Sequence, residues 1–148
     1  MADEFTSLFT RAAKLMRGAA DEAMRQHGVR VGQNLLLEAL WESDGLTPGQ
    51  IAERLHVATP TVVKMATRME GAGLLTRRRD EKDARLVRLY LTDQGRALEQ
   101  PIQDARRELQ RRATATLTKE ERRHMEAALR KMIRNLEDVA QTEEEDLV

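Results

Sequence analysis

Residues 74–91 read Leu74-Leu75-Thr76-Arg77-Arg78-Arg79-Asp80-Glu81-Lys82-Asp83-Ala84-Arg85-Leu86-Val87-Arg88-Leu89-Tyr90-Leu91. Two short apolar runs, Leu74-Leu75 and Val87 to Leu91, flank a charged, turn-prone centre, and that pattern predicts a β-hairpin. Arginines stand at its base and near its tip. Immediately upstream, two helix-start signals fall close together. Thr47-Pro48-Gly49-Gln50 offers a capping threonine, a proline at the first helical position and a glutamine placed to complete a capping box. The helix it opens is short, with Ile51, Ala52 and Leu55 inward, and His56-Val57-Ala58 is expected to turn tightly. Thr59-Pro60 repeats the cap-then-proline order and predicts a second helix over about 59–72, which Gly73 stops.

Further out, the periodicity becomes helical. Phe5, Leu8, Phe9, Ala12, Leu15, Met16, Ala19, Ala23 and Met24 recur in steps of three and four, one stripe on a long first helix closed by Gly28. Residues 33–42 are too apolar all round for a surface helix and predict a buried one. After the hairpin, Thr92 is expected to cap a long helix with Ala97, Leu98, Ile102, Ala105, Leu109 and Ala113 on one face. Pro101 inside that pattern should bend the helix or shift its start. Thr118-x-x-Glu121 is another capping box, opening a last helix with Met125, Leu129, Met132, Leu136 and Val139 in register. The acidic stretch after Gln141 is expected to fray.

Lys+Arg and Asp+Glu each total 25 in the 148 residues, so net charge alone decides nothing about a polyanionic partner. Its distribution does. Residues 61–88 hold eight bases (Lys64, Arg68, Arg77, Arg78, Arg79, Lys82, Arg85, Arg88) against four acids, whereas residues 137–148 hold six acids and no base. A local basic zone on a neutral chain suits a compact polyanion-binding face. The absence of cysteine excludes disulfides, zinc–thiolate sites and thiol redox sensing. His27, His56 and His124 are too scattered for a metal site, so neither metal nor cofactor is expected. No run reaches the length of a membrane span and no signal-peptide core opens the chain, which makes the cytoplasm the expected location and a membrane partner unexpected. An enzyme is disfavoured, since no cysteine nucleophile, glycine-rich phosphate loop or metal spacing is present.

The second helix of the pair carries the chemistry. Val62, Met65, Ala66 and Met69 fall on one face, and Thr61, Lys64 and Arg68 on the other, with Thr59 at the N-terminal end. A helix entering the major groove needs that division and a phosphate near its N-terminus. Thr61 and Lys64 are the candidates for base edges, and Thr59 and Arg68 for phosphates. In the hairpin, Arg77, Arg79 and Arg88 flank the strands. Lys82 and Arg85 sit near the tip, within reach of a minor groove or its phosphates, and Asp83 is close enough to pair with Arg85. The plainer alternative is a solvated helix face and an edge strand made soluble by charge.

The run from Thr47 to Gly95, with Asp83-Ala84-Arg85 followed by Val87, Leu89, Leu91, Thr92 and Gly95, resembles the MarR (multiple-antibiotic-resistance) regulators, and Gly73-Leu74-Leu75-x-Arg77 matches the family's exit from its recognition helix. The resemblance implies a mainly α fold with a small β-hairpin wing: a winged helix–turn–helix over 32–95, with recognition helix at about 59–72 and wing at about 74–91. Long dimerisation helices over 1–31 and 96–148 would flank it. It also implies a ligand-responsive DNA-binding regulator, most often a repressor, with Asp83 and Arg85 as wing residues. The missing cysteine excludes that family's peroxide-sensing mechanism. The terminal stripes independently favour a homodimer, since a lone chain would leave them bare; a twofold pair then expects a pseudo-palindromic operator. Members of the family often take small aromatic or anionic compounds between the dimer helices and the winged helix. Lys14, Arg17, His27, Arg30, Gln33 and Trp41 are the candidate lining groups here for a phenolic or other anionic effector. The plainer reading puts Trp41 in the core and makes His27 a helix-end cap. The alternative function is a winged-helix protein-interaction module that does not bind DNA, for which Arg85 at the tip has no evident use.

Overall fold

The computed structural model describes the backbone of residues 3–146 and the side chains of residues 3–139. It forms two compact units, residues 1–110 and residues 111–148.

In the first unit, α1 (Glu4–Arg25) starts at Asp3, whose carboxylate accepts from the Phe5 N–H, and carries Arg25 in its last turn, paired with Asp21 at 2.9 Å. Val29 N–H returns to the Met24 carbonyl, and Gly28, at φ 72°, takes the left-handed turn that closes the helix. Helix α2 (Gln33–Glu42) buries Leu36, Leu37, Ala39 and Leu40, as its apolar composition predicts, while Leu35 stays exposed. Helix α3 (Pro48–Leu55) opens with the expected capping box: Thr47 Oγ1 accepts from Gln50 N–H at 3.2 Å, and Gln50 Oε1 accepts from Thr47 N–H at 2.9 Å. His56, at φ 54°, makes the tight turn into α4 (Thr59–Gly71).

At α4 the expected cap moves by one residue. Ala58, not Thr59, is the N-cap, and no side chain caps the helix. Pro60 therefore occupies the second helical position, where its missing N–H removes one of the donors a cap would satisfy. The next donor, Thr61 N–H, is taken by the Ala58 carbonyl at 3.0 Å. At the other end, Leu74 N–H bonds the Met69 carbonyl and Gly73 N–H the Glu70 carbonyl, with Gly73 at φ 79°. This paired closure turns the chain sharply into the sheet.

Strands β1 (Leu75–Arg79) and β2 (Val87–Leu91) pair antiparallel, with Leu75 opposite Leu91, Arg77 opposite Leu89 and Arg79 opposite Val87. On the other side of β2, Gly45 N–H donates to the Leu89 carbonyl at 3.0 Å and Leu89 N–H to the Leu46 carbonyl at 2.9 Å. The α2–α3 loop thus acts as a third, very short strand. A two-stranded hairpin is marginal alone, and this lateral pairing anchors it.

Thr92 caps α5 (Asp93–Ala97), and its hydroxyl also donates to the Gly73 carbonyl at 2.6 Å. The single long helix expected from Thr92 is broken at Leu98, and α6 (Glu99–Ala113) follows. Pro101 supplies the reason: it has no N–H for the Ala97 carbonyl and its ring crowds that group. Helices α2 to α4, both strands and Ile102 of α6 share one apolar core, with Leu36, Leu37, Ile51, Val62, Met69, Leu75 and Leu89 essentially inaccessible to solvent. Truncating any of these leucines to alanine costs about 2–5 kcal/mol.

In the second unit, α7 (Lys119–Asp146) begins at the expected Thr118/Glu121 box, both bonds measuring 3.1 Å. The helix continues past Gln141, where fraying was expected, to Asp146, consistent with the good helix propensity of glutamate. Met125, Ile133, Leu136 and Val139 are exposed on it, as Phe5, Leu8, Phe9, Leu15 and Met16 are on α1. Among the described residues no helix is long and apolar enough to cross a membrane.

Candidate nucleic-acid interface

Helix α4 divides as its sequence demands. Val62, Ala66 and Met69 are buried, while Thr59, Thr61, Lys64 and Arg68 are exposed. Spacings of three and four put the first group on one side and leave the second on a continuous polar face. The positive end of the helix dipole lies at Thr59, so the face is most favourable to anions where it begins. Among the described residues, no salt bridge engages Lys64, Arg68, Arg79 or Lys82. Their charges are open to a partner.

The hairpin arginines separate into different tasks. Arg77 turns towards α4: its guanidinium donates to Thr67 Oγ1 and, at 3.4 Å, to the Val63 carbonyl, and its backbone N–H donates to Glu70 Oε2 at 3.1 Å. Arg77 therefore braces α4 from the strand, with about a third of its side chain (34%) exposed. Arg78 lies over the Tyr90 ring, 5.0 Å from its centroid. Arg85 projects from the tip, 90% exposed, and is gripped by Asp83 through Nε at 3.1 Å and Nη2 at 3.2 Å. This two-point pairing is the one the spacing predicts, and it orients the guanidinium plane. Arg85 beside it holds the Asp83 carboxyl below the usual carboxylate range.

Sequence reasoning missed the group that organises the loop. Asp80 accepts from Lys82 N–H at 2.8 Å, from Asp83 N–H at 2.9 Å and from Arg88 Nε at 2.5 Å. The Arg88 bond above all, then the two loop N–H groups, bring its carboxyl down to about 2 from 3.8. Arg88 also donates to the Gly45 carbonyl at 2.9 Å. An aspartate entering a turn, with N–H groups two and three residues on, was the available signal. Its pairing with Arg88 was not, because it depends on the strand register.

A cleft of about 410 Å³ joins the two parts of the surface: Thr47 to Gly49 of the α3 cap, Thr59 and Val63 of α4, and Arg77, Arg85 and Leu86 of the hairpin line it. The wing arginine and the start of the recognition helix thus border one space.

The candidate effector residues are less united. A groove of about 750 Å³ between α1, α2 and α6 is lined by Met16, Arg17, Ala20, Met24, Val31, Asn34, Gln103, Arg106, Arg107 and Leu109 among others. Of the six candidates only Arg17 borders it. Lys14 and Arg30 are exposed elsewhere, and His27 sits half-buried just beyond α1. Gln33 turns its amide oxygen to Arg30 N–H at 3.1 Å. Trp41 packs on the core and donates its indole N–H to the Gly95 carbonyl at 3.0 Å. Arg106 and Arg107, which sequence reasoning passed over, line the groove but pair with Glu38 at 2.6 Å and Asp104 at 3.4 Å.

A helix pair whose second member bares a polar face, followed by a three-element sheet with a cationic tip, defines a winged helix–turn–helix protein. The chain matches the model of the MarR family over residues 31–87. It is 36% identical over 87 residues to the HTH-type transcriptional regulator TtmR of Methylorubrum extorquens, covering 59% of this chain and 45% of TtmR. It is 34% identical over 100 residues to the HTH-type transcriptional repressor MdtR of Bacillus subtilis, covering 68% of this chain and 64% of MdtR. The chain thus spans from under half to just under two thirds of the length of these curated relatives. Among solved structures, the S. aureus MepR–DNA complex superposes with a TM-score of 0.80 at 28% identity, over 90% of this chain and 98% of MepR.

Proposed function

We propose that this chain is a homodimeric transcriptional regulator that recognises a pseudo-palindromic double-stranded DNA site, acting as a repressor. The observation that carries this reading is the open polar face of α4, with Thr59, Thr61, Lys64 and Arg68 exposed and its first residue, Thr59, lining a cleft together with Arg85 of the wing tip. In the complex, Thr61 and Lys64 read base edges in the major groove, and Thr59 and Arg68 hold phosphates. Lys82 and Arg85 reach the adjacent minor groove or its phosphates, with Asp83 orienting Arg85 and Arg79 adding charge along the strand. Arg77 seats α4, and any phosphate it touches shares its guanidinium with Thr67 Oγ1 and the Val63 carbonyl. The similarity to MepR, solved on DNA, and to the repressor MdtR supports the assignment.

Residues 1–31 and 96–148 serve as the dimerisation region and 32–95 as the DNA-binding region. The exposed apolar residues of α1 and of α7 give each helix something to bury. Each Leu, Phe or Met covered contributes about 1.5–3 kcal/mol. Twofold pairing sets two recognition helices about 34 Å apart, one turn of duplex. A small aromatic or anionic effector in the groove beside Arg17 would favour one spacing of the two wings over another and so release the operator.

The test is fluorescence anisotropy of the full chain on its own upstream DNA and on scrambled duplex, from low to physiological salt. Preferential binding whose affinity falls steeply with salt supports the reading. Absence of binding at low salt would favour the protein-interaction alternative.

A further inference from the structure

Resting on the DNA-binding reading above, we propose that Asp80 and Arg88 are positioning residues: they touch no DNA, and they fix the wing loop so that Arg85 is presented at one height and angle. A polar relay runs from the body of the fold to the tip. The Gly45 carbonyl accepts from Arg88 Nη1 at 2.9 Å, Arg88 Nε donates to Asp80 at 2.5 Å, Asp80 takes the Asp83 N–H at 2.9 Å, and the Asp83 carboxylate grips Arg85. The inner end is set by something rigid. Gly45 adopts φ 80° against the Tyr90 ring, where a Cβ would lie 2.8 Å from the nearest ring atom, and its N–H is paired to Leu89. The inner pair is sheltered, Asp80 being 15% and Arg88 30% exposed, while Arg85 stands 90% exposed. Arg88 sits on β2 opposite Arg78, so its fork reaches both the loop on one side and the α2–α3 turn on the other. Lysine, with a single ammonium, cannot span the two in the same way.

Charge gives the proposal a sign that a simple electrostatic role would not share. Asp80→Asn removes a negative charge beside a polyanion site, which by Coulomb attraction alone should strengthen DNA binding. Positioning predicts the opposite. The expected result is about a tenfold loss of affinity for Asp80→Asn, with a similar loss for Arg88→Lys, which keeps the charge. In an Arg85→Ala background both losses should shrink to less than about twofold, because the relay then has nothing to present. Anisotropy titrations of the four proteins in each cycle measure this, with circular dichroism melts to confirm folding. If Asp80→Asn fails to fold, the Arg88→Lys cycle decides alone. Unchanged or tighter binding by the single variants, or an equal loss with and without Arg85, overturns the proposal. A wild-type chain that binds no duplex at low salt instead removes the DNA-binding reading, and this inference falls with it.

Discussion

Trp41 donates its indole N–H to the carbonyl of Gly95 at 3.0 Å, tying the end of α2 to α5 across 54 positions of sequence. Gly95 is also packed against the entry to β1: a Cβ there would lie 2.1 Å from the Leu74 carbonyl oxygen. Gly95→Ala should therefore destabilise the fold by at least about 1–3 kcal/mol, the usual range for forcing an extra carbon into a packed site. Trp41→Phe, which strands the carbonyl, should cost about 1–3 kcal/mol. Urea melts followed by circular dichroism measure both, and a Gly95→Ala midpoint equal to wild type would contradict the packing argument.

Arg85→Ala should weaken binding to every duplex alike and flatten the dependence of log affinity on log salt by about one unit. Arg85 is exposed at the wing tip and, among the described residues, its guanidinium bonds only Asp83, so the fold itself should be untouched. Titrations on specific and scrambled DNA at several salt concentrations distinguish this uniform loss from a sequence-specific one.

Lys64→Ala should instead relax the preference at one base pair per half-site, by about 1–3 kcal/mol if the ammonium contacts a guanine edge. Lys64 is exposed in the middle of the polar face of α4. Selection from a randomised operator library would read this out, and an unchanged preferred sequence would move Lys64 to the phosphate class.

Acid should loosen the wing through Asp80. Its carboxyl titrates at about 2 in the folded chain against 3.8 ordinarily, chiefly through the Arg88 bond. A depressed folded value means the contribution is fully present above 3.8 and is lost as pH falls towards 2. Acid titrations of wild type and Asp80→Asn, followed by amide exchange at Lys82 and Asp83, should show protection lost over that window only in wild type.

Leu8→Glu on the exposed stripe of α1 should shift the chain from dimer to monomer and weaken operator binding by more than tenfold, since a twofold site then engages one recognition helix at a time. Sedimentation velocity and anisotropy on the same samples check it. A variant that stays dimeric with full affinity would place the dimer interface elsewhere.

Much of the fold was legible because its signals are local. The Thr47/Gln50 and Thr118/Glu121 boxes, the stop at Gly73 and the Asp83–Arg85 pair all involve residues within a few positions of one another. The polar face of α4 was legible for the same reason, as helical spacing alone divides Lys64 from Val62. The start of α4 was misplaced by one residue: Ala58 is the N-cap, no side chain caps the helix, and Pro60 falls at its second position.

The sequence by itself determined the course of the chain from helices to hairpin to helices, the starts of α3 and α7 and the basic tip, all consequences of hydrophobic period and side-chain–backbone bonds over short separations. Only the tertiary structure decided which arginine does what: Arg77 against α4, Arg88 between Asp80 and Gly45, Arg85 held out at the tip by Asp83. Only it withdrew Trp41 into the frame and put Arg17 with Arg106 and Arg107 along one groove. Guanidinium groups on long flexible stems take whichever acceptor the fold brings within reach, and such partners lie up to tens of residues away in the chain.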